Sequence, residues 1–204
     1  MTTVTLHHGD LPAGLSFGPA VAVDTETLGL VPARDRLCLV QLSAGDNTAH
    51  LVQFKQGLYN APNLKKILAD NSVEKIFHFA RFDLAVLKTY LGVECAPIFC
   101  TKIASKLCRT YTDRHGLKDI CRELIEISLS KEQQSSDWGT QELSAAQKTY
   151  AASDVVYLHE LREKLKLMLL REKRLDLAQA CFQFLPHRVA LDLSGWPNTD
   201  IFEH

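Results

Sequence analysis

Apolar positions change rhythm about halfway along the chain. Up to Phe99 they come in short runs: Val21-Ala22-Val23, Leu37 to Leu42 broken only by Gln41, and Ala49 to Phe54. Between these runs lie turn residues, Leu28-Gly29 through Pro32-Ala33-Arg34-Asp35 and then Gly45-Asp46-Asn47. Connections that short predict an antiparallel meander. Asn63 to Ala69 then has helical spacing, with Asn60 or Asn63 as its cap. Lys75 to Phe79 predicts a short strand, and Phe82, Val86, Leu87 and Tyr90 share a helix face that stops at Gly92. A last strand is expected around Ile98-Phe99. From Thr101 onward the spacing is helical, over Lys102 to Arg109, Leu117 to Leu124 and Ser144 to Arg171, with Ser144 as N-cap of the last. This is the pattern of an α/β fold with a helical C-terminal half. The main domain is drawn over residues 1–180. In the turn-rich stretch 181–204, Phe182, Phe184, Leu185, Leu191, Leu193, Trp196, Ile201 and Phe202 form an apolar tail expected to pack on its own domain or on a neighbouring subunit.

Composition narrows the class. A chain of 204 residues with 46% hydrophobic content buries a real core. Lys and Arg number 23 against 24 Asp and Glu, a net charge of -1, which excludes a protein that coats duplex DNA through a large basic surplus. No apolar run approaches the ~18 residues that cross a bilayer, and MTTVTLHHGD lacks the charged-then-apolar pattern of an export signal. The expectation is a cytoplasmic protein with no membrane contact. The six cysteines form no C-x-x-C and read as reduced, buried small hydrophobes.

Candidate chemistry lies in the carboxylates. Asp24-Thr25-Glu26 ends the first core strand, where alternation turns residues i and i+2 to one face. Two like charges there are costly unless a positive charge joins them. Asp83 begins the helix that follows the Lys75 strand. Asp154 interrupts an apolar helix face beside Val155 and Val156, one turn after Tyr150.

Asp24, Glu26, Asp83 and Asp154, with Tyr150, resemble the DEDDy branch of the DnaQ-like 3′-5′ exonucleases. The segment Lys131-Glu132-Gln133-Gln134-Ser135-Ser136-Asp137-Trp138, with Leu143, Gln147 and Tyr150 to Asp154, is similar to ribonuclease D. Phe79 departs from this pattern, because many relatives carry Asn after the histidine equivalent to His78. The runs Phe99 to Lys106, Arg109 to Lys118 and Ala180 to Pro186 look like the nano-RNase C group of alphaproteobacterial oligoribonucleases. The resemblance implies an RNase H-like fold with a mixed five-stranded sheet and degradation of very short RNA, down to dinucleotides. It also implies assembly into an octameric ring, to which the tail and the helix carrying Leu158, Leu161, Leu165 and Leu169 are expected to contribute.

Four converging carboxylates repel one another unless cations join them, and an all-oxygen set without His or Cys favours Mg²⁺ or Mn²⁺. Two ions per site, about 3.5–4 Å apart, would clamp the scissile phosphate. Asp24 is the expected bridging ligand, with Glu26 and Asp154 on the water side and Asp83 on the leaving-group side. The resemblance gives Tyr150 the task of orienting the attacking water, and the products would be nucleoside 5′-monophosphates. Lys102, Lys106, Arg109, Arg114, Lys118 and Arg122 form a local basic surplus. It is either a solvated helix face or a pocket in which Arg114, His115 and Lys118 hold the substrate's 5′ phosphate. Leu28 or Leu30 is a candidate wedge between two bases, with Tyr111 or Phe82 as stacking partners; Thr25 and His78 complete the expected substrate contacts. The same metal site would also serve a broader 3′-5′ exonuclease acting on single-stranded DNA or structured RNA. A non-catalytic nucleic-acid-binding module fits poorly with a complete set of carboxylates.

Overall fold

The computed structural model describes residues 2–130, 132–133 and 135–204; Lys131 and Gln134 of the Lys131 to Trp138 run lie outside it. Six strands form one mixed sheet: β1 (Thr3–His8), β2 (Ala20–Thr27), β3 (Leu37–Ser43), β4 (Thr48–Gln53), β5 (Glu74–Phe77) and β6 (Ile98–Cys100). Their order is β1-β4-β3-β2-β5-β6. The predicted meander is β2-β3-β4, both pairs antiparallel, while β5 and β6 add in parallel beyond β2. β3 is buried along its whole length. A strand covered on both faces reads as a continuous apolar run, which is how it stands in the sequence.

The sixth strand corrects the expectation of five. β1 lies parallel to β4 at the sheet edge, half-exposed, and contributes only Val4 and Leu6 as apolar residues. Seven helices are found among the described residues: α1 (Pro62–Ala69), α2 (Ala80–Leu91), α3 (Thr101–Cys108), α4 (Leu117–Leu124), α5 (Ala145–Val156), α6 (Leu158–Arg171) and α7 (Leu175–Leu193). Neither Asn60 nor Asn63 caps α1. Asp10 does so from a distant loop, its carboxylate accepting from the backbone amides of Asn63 and Leu64 at 3.0 and 2.9 Å. Gly92 ends α2 in the left-handed conformation that glycine adopts without strain.

Ser144 forms a capping box with Gln147, as its position predicts. The single helix expected from there to Arg171 is two, α5 and α6, meeting at Tyr157. The turn-rich reading of the tail is also corrected, since Cys181 to Leu193 continues α7 through Pro186. The inward face of α7, Phe182, Leu185 and Val189, is buried on its own domain, whereas Phe184, Trp196 and Phe202 stay exposed. Leu158, Leu161, Leu165 and Leu169 are fully buried in the chain's own core, so they are not available for subunit contacts. No helix among the described residues is long and apolar enough to cross a membrane.

Candidate active site

β2 carries Asp24 and Glu26 to its end, and α5 packs across the sheet so that Asp154 meets them there. Asp24, Glu26 and Asp154 each present a carboxylate oxygen, and the three oxygens lie within 4.8 Å of one another. Asp83, on the first turn of α2, is the most buried of the four acids, and Thr25 Oγ1 donates to it at 2.7 Å. All four acids line one cavity of about 780 Å³.

The charges shape this site. Burial, then the neighbouring carboxylates, pushes Asp24 well above the usual range and Glu26 up to about 9. Asp83 and Asp154 are each pushed up to about 7, chiefly by burial, with hydrogen bonding from Thr25 and Tyr150 respectively opposing the rise. In its donor chemistry the cluster fits a hard divalent cation: all oxygen, partly desolvated, and with no His or Cys among the four. Burial and the surrounding carboxylates also raise the Tyr150 phenol, so it keeps its proton. Trp138 packs against the Tyr150 ring with centroids 6.1 Å apart.

Gln41 is a site residue that the linear reading did not identify. It faces Asp24 across the β2-β3 ladder, and its amide donates to Asp24 Oδ2 at 3.2 Å. Its signal was visible as the one polar break in the β3 run, but its partner emerges only from the strand register.

Thr25, Leu28, Leu30 and His78 line the cavity with the acids, as do Lys118, Lys102, Phe79 and Phe82. Leu28 is 51% and Leu30 85% exposed. Phe79 holds a left-handed backbone (φ 69°), strained for a bulky side chain, with Lys102 Nζ 3.9 Å from its ring centroid. The structure does not bring Arg114 and His115 into the lining of this cavity; they lie on the loop before α4.

The basic surplus divides on inspection. Arg109 is fully buried rather than part of a solvated face or a phosphate pocket. It pairs with Glu123 and donates to the Arg114 carbonyl at 2.7 Å and to Ser105 Oγ at 2.9 Å. Ser105 Oγ also lies 2.9 Å from His115 Nδ1. Arg109, Ser105 and His115 thus form one hydrogen-bonded group that ties the loop before α4 to α3. Arg122 pairs with Asp119, and the Tyr111 hydroxyl donates to Glu123 while its ring stays exposed.

Residues 10–170 match the model of a 3′-5′ exonuclease family. The chain belongs to the 3′-5′ exonuclease family, and it is a nuclease. It is similar to ribonuclease D of Acidiphilium cryptum, 35% identical over 162 residues that make up 79% of this chain and 41% of that protein. The chain thus spans less than half the length of that relative. Among solved structures it is similar to NrnC of Brucella melitensis bound to pGG, with 57% identity, full coverage of both chains and a TM-score of 0.97. The same protein with bound Mg²⁺ aligns at a TM-score of 0.96, again 57% identical with full coverage of both chains. Escherichia coli RNase D, at 28% identity, covers 84% of this chain and 45% of its own with a TM-score of 0.74.

Proposed function

We propose that this nuclease degrades short oligoribonucleotides from the 3′ end, down to dinucleotides, releasing nucleoside 5′-monophosphates. The observation that carries the reading is the convergence of Asp24, Glu26, Asp83 and Asp154 on one cavity beside Tyr150. The carboxylates would hold two divalent cations, Mg²⁺ or Mn²⁺, with Asp24 shared between them, Glu26 and Asp154 on the water side and Asp83 on the leaving-group side. When bound, such ions activate water and stabilise charge on the phosphate and the leaving 3′ oxygen. Tyr150, kept protonated, orients the attacking water through its hydroxyl and does not act as a base. Gln41 holds Asp24 in place by its amide.

Length selection falls to the cavity's far walls. Leu28 or Leu30 would separate the two bases of a dinucleotide. Lys118 at the start of α4, with Arg114 and His115 on the preceding loop, would take the 5′ phosphate. The likeness to a protein bound to pGG supports the same reading. The exonuclease domain would extend past the boundary expected at residue 180, through α7, whose Phe182, Leu185 and Val189 belong to its core. The stretch 181–204 would join copies of the chain through Phe184, Trp196 and Phe202, in a homo-oligomer and, by resemblance, an octameric ring. Six unpaired cysteines suit a reducing cytoplasm.

The test is the hydrolysis rate of 5′-phosphorylated RNA against length, from dinucleotides to 20-mers, with single-stranded DNA of equal length alongside. Dinucleotides should be cleaved fastest. Equal rates at all lengths would replace this reading with a broad 3′-5′ exonuclease.

A further inference from the structure

His78 lies between the end of β5 and the start of α2, in the corner that also supplies Asp83, and it lines the same cavity. Its Nδ1 is 2.9 Å from Thr101 Oγ1. Thr101 is fully buried, and its hydroxyl is 3.1 Å from the Phe77 carbonyl. That carbonyl can only accept, so the threonine proton goes to it; a hydroxyl oxygen facing it without a proton between them would be repelled. The Thr101 oxygen is then an acceptor, and His78 Nδ1 must carry the proton that it receives. The tautomer is fixed from behind, leaving Nε2 as a bare lone pair that makes no hydrogen bond among the described residues.

Burial, and then the charge of Lys102, pushes the imidazole down to about 3, so the ring stays neutral at working pH. A neutral ring presenting a lone pair cannot hold a phosphate oxygen, which has no proton to give. It needs a donor: a ribose hydroxyl or an exocyclic base amine. The place selects between them. Under the function proposed above, on which this inference rests, Asp83 serves the leaving 3′ oxygen, and the leaving ribose carries its 2′-hydroxyl on the adjacent carbon.

We propose that His78 is a specificity-determining residue for RNA: its Nε2 accepts a hydrogen bond from the 2′-hydroxyl of the nucleotide whose 3′ oxygen departs. Removing that hydroxyl leaves the lone pair facing the cavity without its donor, a loss that typically costs about 10- to 100-fold.

The experiment measures kcat/KM for a 5′-phosphorylated dinucleotide and for two versions lacking one 2′-hydroxyl, at the 5′ or at the 3′ nucleotide. Wild type, His78→Ala and His78→Gln are compared. Wild type should discriminate about 10- to 100-fold against deoxyribose at the 5′ nucleotide. His78→Ala should lose that ratio, and His78→Gln, whose amide oxygen can accept, should recover part of it. An unchanged ratio in His78→Ala overturns the proposal. So does sensitivity that follows replacement of guanine by hypoxanthine, which would make the base amine the donor. Should the variants fail to fold, ¹⁵N spectra of wild-type His78 decide: an Nδ1–H tautomer supports the proposal, and an Nε2–H tautomer refutes it. Failure of wild type to cleave any dinucleotide would instead refute the proposed function.

Discussion

With divalent cations chelated, the stability of this protein should fall as pH rises from 7 to 8.5, and Mg²⁺ should reverse that fall. The sign follows from the direction of the shifts. Glu26 is raised from 4.5 to about 9 in the folded chain, so the native state holds a proton that the unfolded state has already released. Its contribution to stability is fully present below pH 4.5 and is lost as pH climbs through about 9. Between pH 7 and 8.5 that single group accounts for about 2 kcal/mol, taking ~1.4 kcal/mol per pKa unit. The four acids share one field, so their effects are not summed and Glu26 alone sets the floor. In a chain of this size about 1 kcal/mol moves Tm by roughly 2–4 °C, so Tm should drop by about 4–8 °C. Below pH 7 the lowered pKa of buried His78 gives an opposite slope, and above 8.5 the buried thiols Cys95 and Cys121, both pushed up to about 12, add one of the same sign. Thermal melts in chelator and in saturating Mg²⁺ across this window are the assay, with Glu26→Gln as control. A chelated Tm that is level from pH 7 to 8.5, or a Mg²⁺-induced gain that is the same at both ends, would refute the electrostatic account of the site.

Asp24→Asn should abolish hydrolysis while raising the metal-free Tm at pH 8, because it removes a carboxyl whose ionised form the buried cluster disfavours and the unfolded chain does not; activity assays and melts on one preparation check both. Tyr150→Phe should lower kcat by about 10- to 100-fold with KM for a dinucleotide little changed, as loss of water orientation alone would give. Arg109→Met should cost about 2–3 kcal/mol of stability in denaturant titrations, the scale of hydrogen bonds to a charged group. It should also raise KM for 5′-phosphorylated dinucleotides more than for 5′-hydroxyl ones, because the loop bearing Arg114 and His115 loses its anchor. Leu165→Ala should cost about 2–5 kcal/mol by opening a core cavity, and light scattering should show an unchanged particle mass.

What was legible in the sequence and what was not divide along a physical line. Spacing within one element carries through to the fold: i and i+2 on β2 bring Asp24 and Glu26 together, and i and i+4 on α5 align Tyr150 with Asp154. Glycine and serine at the ends of helices are equally local, so Gly92 and Ser144 sit where their chemistry predicts. The misses depend on neighbours distant in sequence. Asp10 caps α1 from 53 residues away, and Gln41 reaches Asp24 only because the β2-β3 register sets them opposite each other. β1 has too few apolar residues to stand out, and it is a strand because β4 offers it an edge. Leu158, Leu161, Leu165 and Leu169 show the limit most plainly. A leucine stripe says that a face is covered but not by what, and here the covering surface is the chain's own core. The same reasoning governs His78. Nothing in the sequence around it states which nitrogen bears a proton; the Thr101 hydroxyl, oriented by the Phe77 carbonyl, decides it. Under the proposed role of His78, recognition would be set one layer behind the residue that touches substrate, and a change at Thr101 should alter selectivity without altering the carboxylates.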